Sequence, residues 1–270
     1  MPRKLINRVF NQVFRPAAFL LCTASAALSQ AAEVSVAVAA NFTLPAKKIA
    51  LQFEKDTGHT ARLAFGSTGR FHAQIAHAAP FDVLLAADDE TPAQLERRGL
   101  AVAGSRFTYA VGRLVLWSQQ PGLVDAQGAV LRGGKFERLA IADPKLAPYG
   151  AAAVQAMTQL GVLGRLQPKF VQGENIAQTY QFVATENAQL GFVAFGQVFA
   201  DGQLVKGSAW LVPPALHKPI LQEAVLLSRG QANPAAIAFL SYLQSQKSQD
   251  IIRASGYDLC GGHGPCRAKP

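Results

Sequence analysis

The chain has 270 residues, half of them hydrophobic, with 26 Lys and Arg against 17 Asp and Glu and a formal net charge of +9. The basic residues are scattered rather than gathered on one face, so the excess suits the steering of an anion and argues against a nucleic-acid partner. The length allows one large core or two domains of ordinary size.

The first 31 residues read as an export signal. Arg3, Lys4, Arg8 and Arg15 precede an apolar run over 17–28, and Ser29-Gln30-Ala31 offers small residues where a signal peptidase reads. The run is too short to span a bilayer as a helix. Leu21, not a small residue, precedes Cys22, which favours an ordinary signal over a lipoprotein signal. Cleavage near Ala31 or Ala32 removes four basic residues and no acidic one, lowering the net charge from +9 to +5. No later stretch is long enough to cross a membrane, and the mature chain is expected to be soluble in the periplasm.

Val34, Val36 and Val38 then predict a strand over 33–40, followed by Asn41-Phe42-Thr43 and an amphipathic helix that passes Phe53 and stops at Gly58. A second strand leads into Phe65-Gly66-Ser67-Thr68-Gly69-Arg70, where two hydroxyl residues sit between glycines. Phe71, Ile75 and Ala78 follow at helical spacing. The apolar run over 81–87 suits a strand buried on both faces of a parallel sheet, and Gly99 closes a further helix. Strands alternating with helices in this way predict a βαβ architecture, hence an α/β fold.

Segments 107–111 and 114–117 are both extended with no helix between them, which marks a crossing into a second domain. There, a strand over 139–142 ends in Asp143-Pro144 and Ala147-Pro148-Tyr149-Gly150 before a helix over 151–160. Asn175-Ile176 opens a helix to about Thr185, and strands are expected over 190–195 and 204–212. Pro213-Pro214 reads as a return linker, since neither residue can donate to a ladder. A strand over 223–227 and one helix over 234–252, capped by Asn233, complete the first domain. The predicted organisation is a signal over 1–31, a first domain over 32–108 and 214–259, a second over 109–213, and a tail over 260–270. In that tail Cys260 and Cys266 suit a small disulfide loop in an oxidising compartment, and a metal site of Cys260, His263 and Cys266 has only three ligands.

Four loop-to-helix junctions stand out: Ala40-Asn41-Phe42, Gly66-Ser67-Thr68, Pro148-Tyr149-Gly150 and Asn175-Ile176. Two lie in each domain, so a cleft between the domains can bring them together beyond the carboxyl ends of the strands. Each helix start has unpaired N–H donors and roughly half a positive charge, and four of them balance a charge on the order of −2. Singly, Asn41 and Ser67 are ordinary cap or turn residues, Tyr149 an ordinary packing residue, and Ile176 a donor through its backbone alone. The repetition over both halves is what points to an anion site.

These motifs, together with Phe81-Asp82-Val83, Ala87-Asp88, Ile141-Ala142-Asp143-Pro144 and Leu190-Gly191-Phe192-Val193, resemble the periplasmic molybdate-binding proteins of ABC importers. The resemblance covers about residues 34–257. It implies a two-domain clamshell, each domain a mostly parallel sheet flanked by helices, that closes on molybdate or tungstate and docks on a membrane permease, with no cofactor. It further implies that Asn41 matches the ligand of the first loop, that Ser67 and Thr68 cover the second, and that Ile176 supplies a backbone N–H. Some members carry a tyrosine where this chain has Ala194, and Tyr149 is expected to supply that hydroxyl.

Two rival readings remain. As a hydrolase, Ser67 lacks the glycine two residues before it that a nucleophile elbow needs, because Phe65 is there, and no histidine is near in sequence. Sulfate or another tetrahedral oxyanion would meet the same neutral donors. The loop has no P-loop lysine, and the tyrosines are too dispersed for an iron(III) binder.

Overall fold

The computed structural model describes residues 31–260 apart from Gly134 and Asp201. The export signal, His263 and Cys266 lie outside the described residues, and with them the disulfide and metal readings of the tail. No helix among the described residues is long and apolar enough to cross a membrane.

In chain order the strands are β1 (Glu33–Ala39), β2 (Thr60–Gly66), β3 (Val83–Leu85), β4 (Phe107–Gly112), β5 (Leu114–Ser118), β6 (Leu139–Ala142), β7 (Phe170–Gly173), β8 (Leu190–Ala194), β9 (Phe199–Ala200), β10 (Gln203–Leu204), β11 (Ser208–Leu211) and β12 (Ile220–Leu226). The helices are α1 (Thr43–Thr57), α2 (Thr68–Ala76), α3 (Glu90–Arg97), α4 (Val130–Gly133), α5 (Pro148–Gln159), α6 (Leu163–Leu166), α7 (Ile176–Ala184), α8 (Phe195–Val198), α9 (Pro234–Leu243) and α10 (Gln246–Ala254). Of the two five-stranded sheets, one has the order β2-β1-β3-β12-β4 and the other β11-β5-β8-β6-β7, and β9 pairs with β10 in a separate two-stranded sheet. This is the two-lobed α/β architecture that the alternation of strands and helices predicts.

Both sheets are mixed. β1 runs parallel to β2 and β3, and β6 parallel to β7 and β8. The returning β12 is antiparallel to β3 and β4, and β5 is antiparallel to β8 and β11. Fully apolar β3 and β8 are buried on both faces, as central strands covered by helices must be. Around β1, a core of Phe42, Ile49, Phe53 and Phe239 fills one lobe; around β6 and β8, Leu116, Ile141, Met157 and Phe192 fill the other.

Three expected boundaries differ from the structure. The crossing set at residue 109 falls inside β4, whose residues 107–112 all belong with β12 in the first sheet, so the chain changes sheets at Arg113. The strand expected over 204–212 is two strands of different sheets, because Leu204 folds back to pair with Phe199 while 208–211 pair with β5. The helix expected over 234–252 is broken after Leu243. Ser245 accepts the Ser248 N–H and so begins α10, while Ser248 Oγ donates to the carbonyl of Tyr242 and satisfies the end of α9. By contrast α1 ends where expected, at Gly58, whose φ of 73° is the left-handed conformation of a helix stop.

Candidate functional site

Parallel strands point their carboxyl ends the same way, so β1 and β2 deliver 40–41 and 66–68 to one edge of their sheet. β6 and β7 deliver 147–149 and 175–176 to the facing edge of the other. The two edges meet. Gly69 N–H donates to the carbonyl of Leu146 at 2.9 Å, and exposed Arg70 pairs with Glu174 from the opposite lobe.

Between them lies a cavity of about 10 Å³ open to the centre of a water molecule, lined by Ala39, Ala40, Asn41, Gly66, Ser67, Thr68, Ala87, Ala147, Pro148, Tyr149, Asn175 and Ile176. All five residues singled out from sequence are therefore in one place. The lining holds no charged side chain, and the space is about that of a single water, far below the roughly 300–1,000 Å³ usual for organic ligands.

Ser67 precedes α2 with extended backbone (φ −80°, ψ 149°), yet its hydroxyl makes no cap bond. Only 3% of Ser67 is exposed, and its Oγ is buried without any hydrogen-bond partner. The neighbouring Thr68 Oγ1 accepts the N–H of Ala87 at 3.0 Å and so ties β3 to the start of α2. At α7, Asn175 Oδ1 accepts from the N–H groups of Ala177 and Gln178, and the N–H of Ile176 is left at the helix start beside the cavity. At α5, Pro148 takes the first helical position, where a missing N–H costs nothing, and Tyr149 follows.

Asn41 is held from behind. Its Nδ2 donates to Gln222 Oε1 at 2.9 Å and lies 3.2 Å from the Tyr257 hydroxyl, which itself donates to the Asn41 carbonyl at 2.6 Å. The Tyr109 hydroxyl lies 3.0 Å from both Gln222 Oε1 and the Ala86 carbonyl, and Gln222 Nε2 donates to the Tyr149 hydroxyl at 3.2 Å. Burial pushes the Tyr109, Tyr149 and Tyr257 phenols well above their ordinary value, so all three stay neutral and keep their protons. Sequence reading missed Gln222, Tyr109 and Tyr257, which stand 181, 68 and 216 residues from Asn41. The one local signal was the polar Gln222-Glu223 pair inside the otherwise apolar Ile220–Leu226 strand.

Outside the small cavity an open cleft of about 410 Å³ is lined by His72, Asp88, Asp89 and Glu90 from one lobe and by Lys145 and Lys218 near the other. Burial pushes the Asp88 carboxyl up to about 6, against the hydrogen bonds it accepts from Thr91. The folded state thus binds this proton more tightly than the unfolded chain. The stabilisation is complete below the ordinary carboxylate range and is lost as the pH rises through about 6. Asp88→Asn should accordingly raise stability to urea by about 1 kcal/mol at pH 8, with the gain vanishing below about pH 4.

The family model for bacterial extracellular solute-binding proteins matches residues 34–258. The molybdate-binding protein ModA of Azotobacter vinelandii is 59% identical over 234 residues, covering 87% of this chain and 93% of that protein. ModA of Rhodobacter capsulatus is 52% identical over 227 residues, covering 84% and 88%. The solved Azotobacter vinelandii periplasmic molybdate-binding protein superposes with a TM-score of 0.81 at 41% identity, covering 84% of this chain and 99% of that one. A match this long, on two facing lobes with a small uncharged cavity between them, places the chain in the family of bacterial extracellular solute-binding proteins.

Proposed function

We propose that this protein, exported to the periplasm by its first 31 residues, captures molybdate, and also tungstate, as a monomer and delivers it to an ABC-type permease. The observation that carries the reading is the orphaned Ser67 hydroxyl, buried against a cavity of uncharged donors. A buried hydroxyl without a partner costs free energy, and a ligand oxygen placed in the cavity removes that cost. Relatives more than half identical to this chain are molybdate-binding proteins, which supports the choice of anion.

The binding set is Asn41, Ser67, Thr68, Tyr149 and Ile176. Ser67 gives its hydroxyl, and the residues at the four helix beginnings give N–H groups aligned with the helix dipoles. The Tyr149 hydroxyl, which the resemblance led us to expect on the ligand, is instead engaged by Gln222 and Tyr257, so Tyr149 contributes its N–H. Neutral donors balance the dianion without a buried Lys or Arg, so release needs no charge pair to be broken. Closure of the lobes dries the cavity and strengthens every one of these bonds.

Calorimetric titration with molybdate, tungstate and sulfate side by side tests the reading. Strong heat is expected from the first two and none from sulfate, whose shorter bonds place its oxygens nearer the centre than those of molybdate or tungstate. Heat from sulfate alone would replace molybdate with the smaller oxyanion as the ligand.

A further inference from the structure

We infer that Gln222 is a positioning residue that joins the ligand loops of the two lobes, aligning Asn41 with Tyr149 only when the lobes are closed. This rests on the functional reading above. Gln222 is fully buried on β12, just after the chain returns from the second sheet. Its two amide ends face different lobes. Oε1 accepts from Asn41 Nδ2 at 2.9 Å and from Tyr109 at 3.0 Å, while Nε2 donates to Tyr149 at the start of α5 at 3.2 Å. The amide cannot be turned over, because Nε2 would then confront the Nδ2 donor of Asn41.

The meeting point lies at the crossing between the sheets, against Gly112. A Cβ on Gly112 would stand 2.2 Å from the Tyr149 hydroxyl and 2.8 Å from Gln222 Nε2, so only glycine leaves room for the two groups to touch. Tyr257 secures Asn41 within the first lobe and also takes a bond from the Tyr149 hydroxyl, and the bond from Gln222 to Tyr149 likewise spans the lobes and is lost whenever they part. Gln222 therefore exchanges this bond for water when the cleft opens, and it reports closure to Asn41 through the other end of the same amide.

A double-mutant cycle on molybdate affinity tests this. Gln222→Met should bind about tenfold more weakly and Tyr149→Phe a few-fold more weakly, with the combined variant losing clearly less than the product of the two. Multiplying losses in a wild-type background that binds molybdate would overturn the coupling alone. A wild type that gives no heat with molybdate overturns the functional reading, and this inference with it. Gln222→Glu provides a rescue, and carries the test if Gln222→Met does not fold. At pH 5.5 its protonated carboxyl keeps one acceptor and one donor and should bind within about threefold of wild type; ionised at pH 8, it should fall by more than about tenfold. The surrounding Tyr109, Tyr149 and Tyr257 stay neutral at both pH values, and wild type run in parallel corrects for Asp88 and for the Arg106-paired Glu223. Equal weakness at both pH values would overturn the proposal.

Discussion

Ser67→Ala should weaken molybdate binding by roughly ten- to a hundredfold, the range of one hydrogen bond to a charged ligand, while leaving the unliganded protein as stable as before or slightly more so. The two effects have opposite signs because the hydroxyl has no partner of its own in the folded chain. Removing it takes away an unsatisfied buried group, whereas a helix cap lost to alanine would cost about 1 kcal/mol. Titration calorimetry paired with urea unfolding of the unliganded protein separates the cases. Thr68→Val provides the contrast, since Thr68 Oγ1 accepts the Ala87 N–H and its loss should lower stability as well. Unchanged affinity in Ser67→Ala would remove the hydroxyl from the site.

Arg106→Met should cost about 3 kcal/mol of stability, the lower end of the range for breaking a buried ion pair by removing one partner. Arg106 reaches Glu96 at 3.0 Å and Glu223 at 2.9 Å, and the Glu223 side chain is 2% exposed. Without the guanidinium this carboxylate stays buried and uncompensated beside Gln222. Burial already holds the Glu223 carboxyl above its ordinary value, with Arg106 opposing that shift. Loss of Arg106 raises it further, so the variant's folded state takes up a proton. Its deficit should be largest at alkaline pH and shrink as the pH falls. Urea unfolding at pH 5 and pH 8 checks the slope, and Glu223→Gln in the variant background should recover much of the loss at pH 8. An equal deficit at both pH values would mean that lost packing, not charge, sets the cost.

Much of the site was legible because its parts are local. A strand end, a short polar residue and a helix start are each written within about six residues, and Gly66-Ser67-Thr68 and Asn175-Ile176 fall where that pattern puts them. Harder to see was which hydroxyl of the second loop lies free. Ser67 and Thr68 are alike in sequence, and only the approach of the Ala87 N–H, nineteen residues on, engages one and leaves the other. The broken helix at 244–245 was hidden for a related reason. Its apolar spacing continues through the break, and the serine exchange that ends one helix and begins the next is a side-chain competition that periodicity does not record.

By itself the amino-acid order determined the α/β class, the alternation that sends the chain out to a second sheet and back, and the four helix beginnings that offer donors. Those features depend on backbone preferences and burial patterns that neighbouring residues settle among themselves. The tertiary structure alone decided that Gln222, Tyr109 and Tyr257 stand behind Asn41, that Gly112 gives Tyr149 its room, and that the crossing falls at Arg113. Those are contacts between groups tens to hundreds of residues apart, and their geometry exists only once both sheets have packed and the lobes have met.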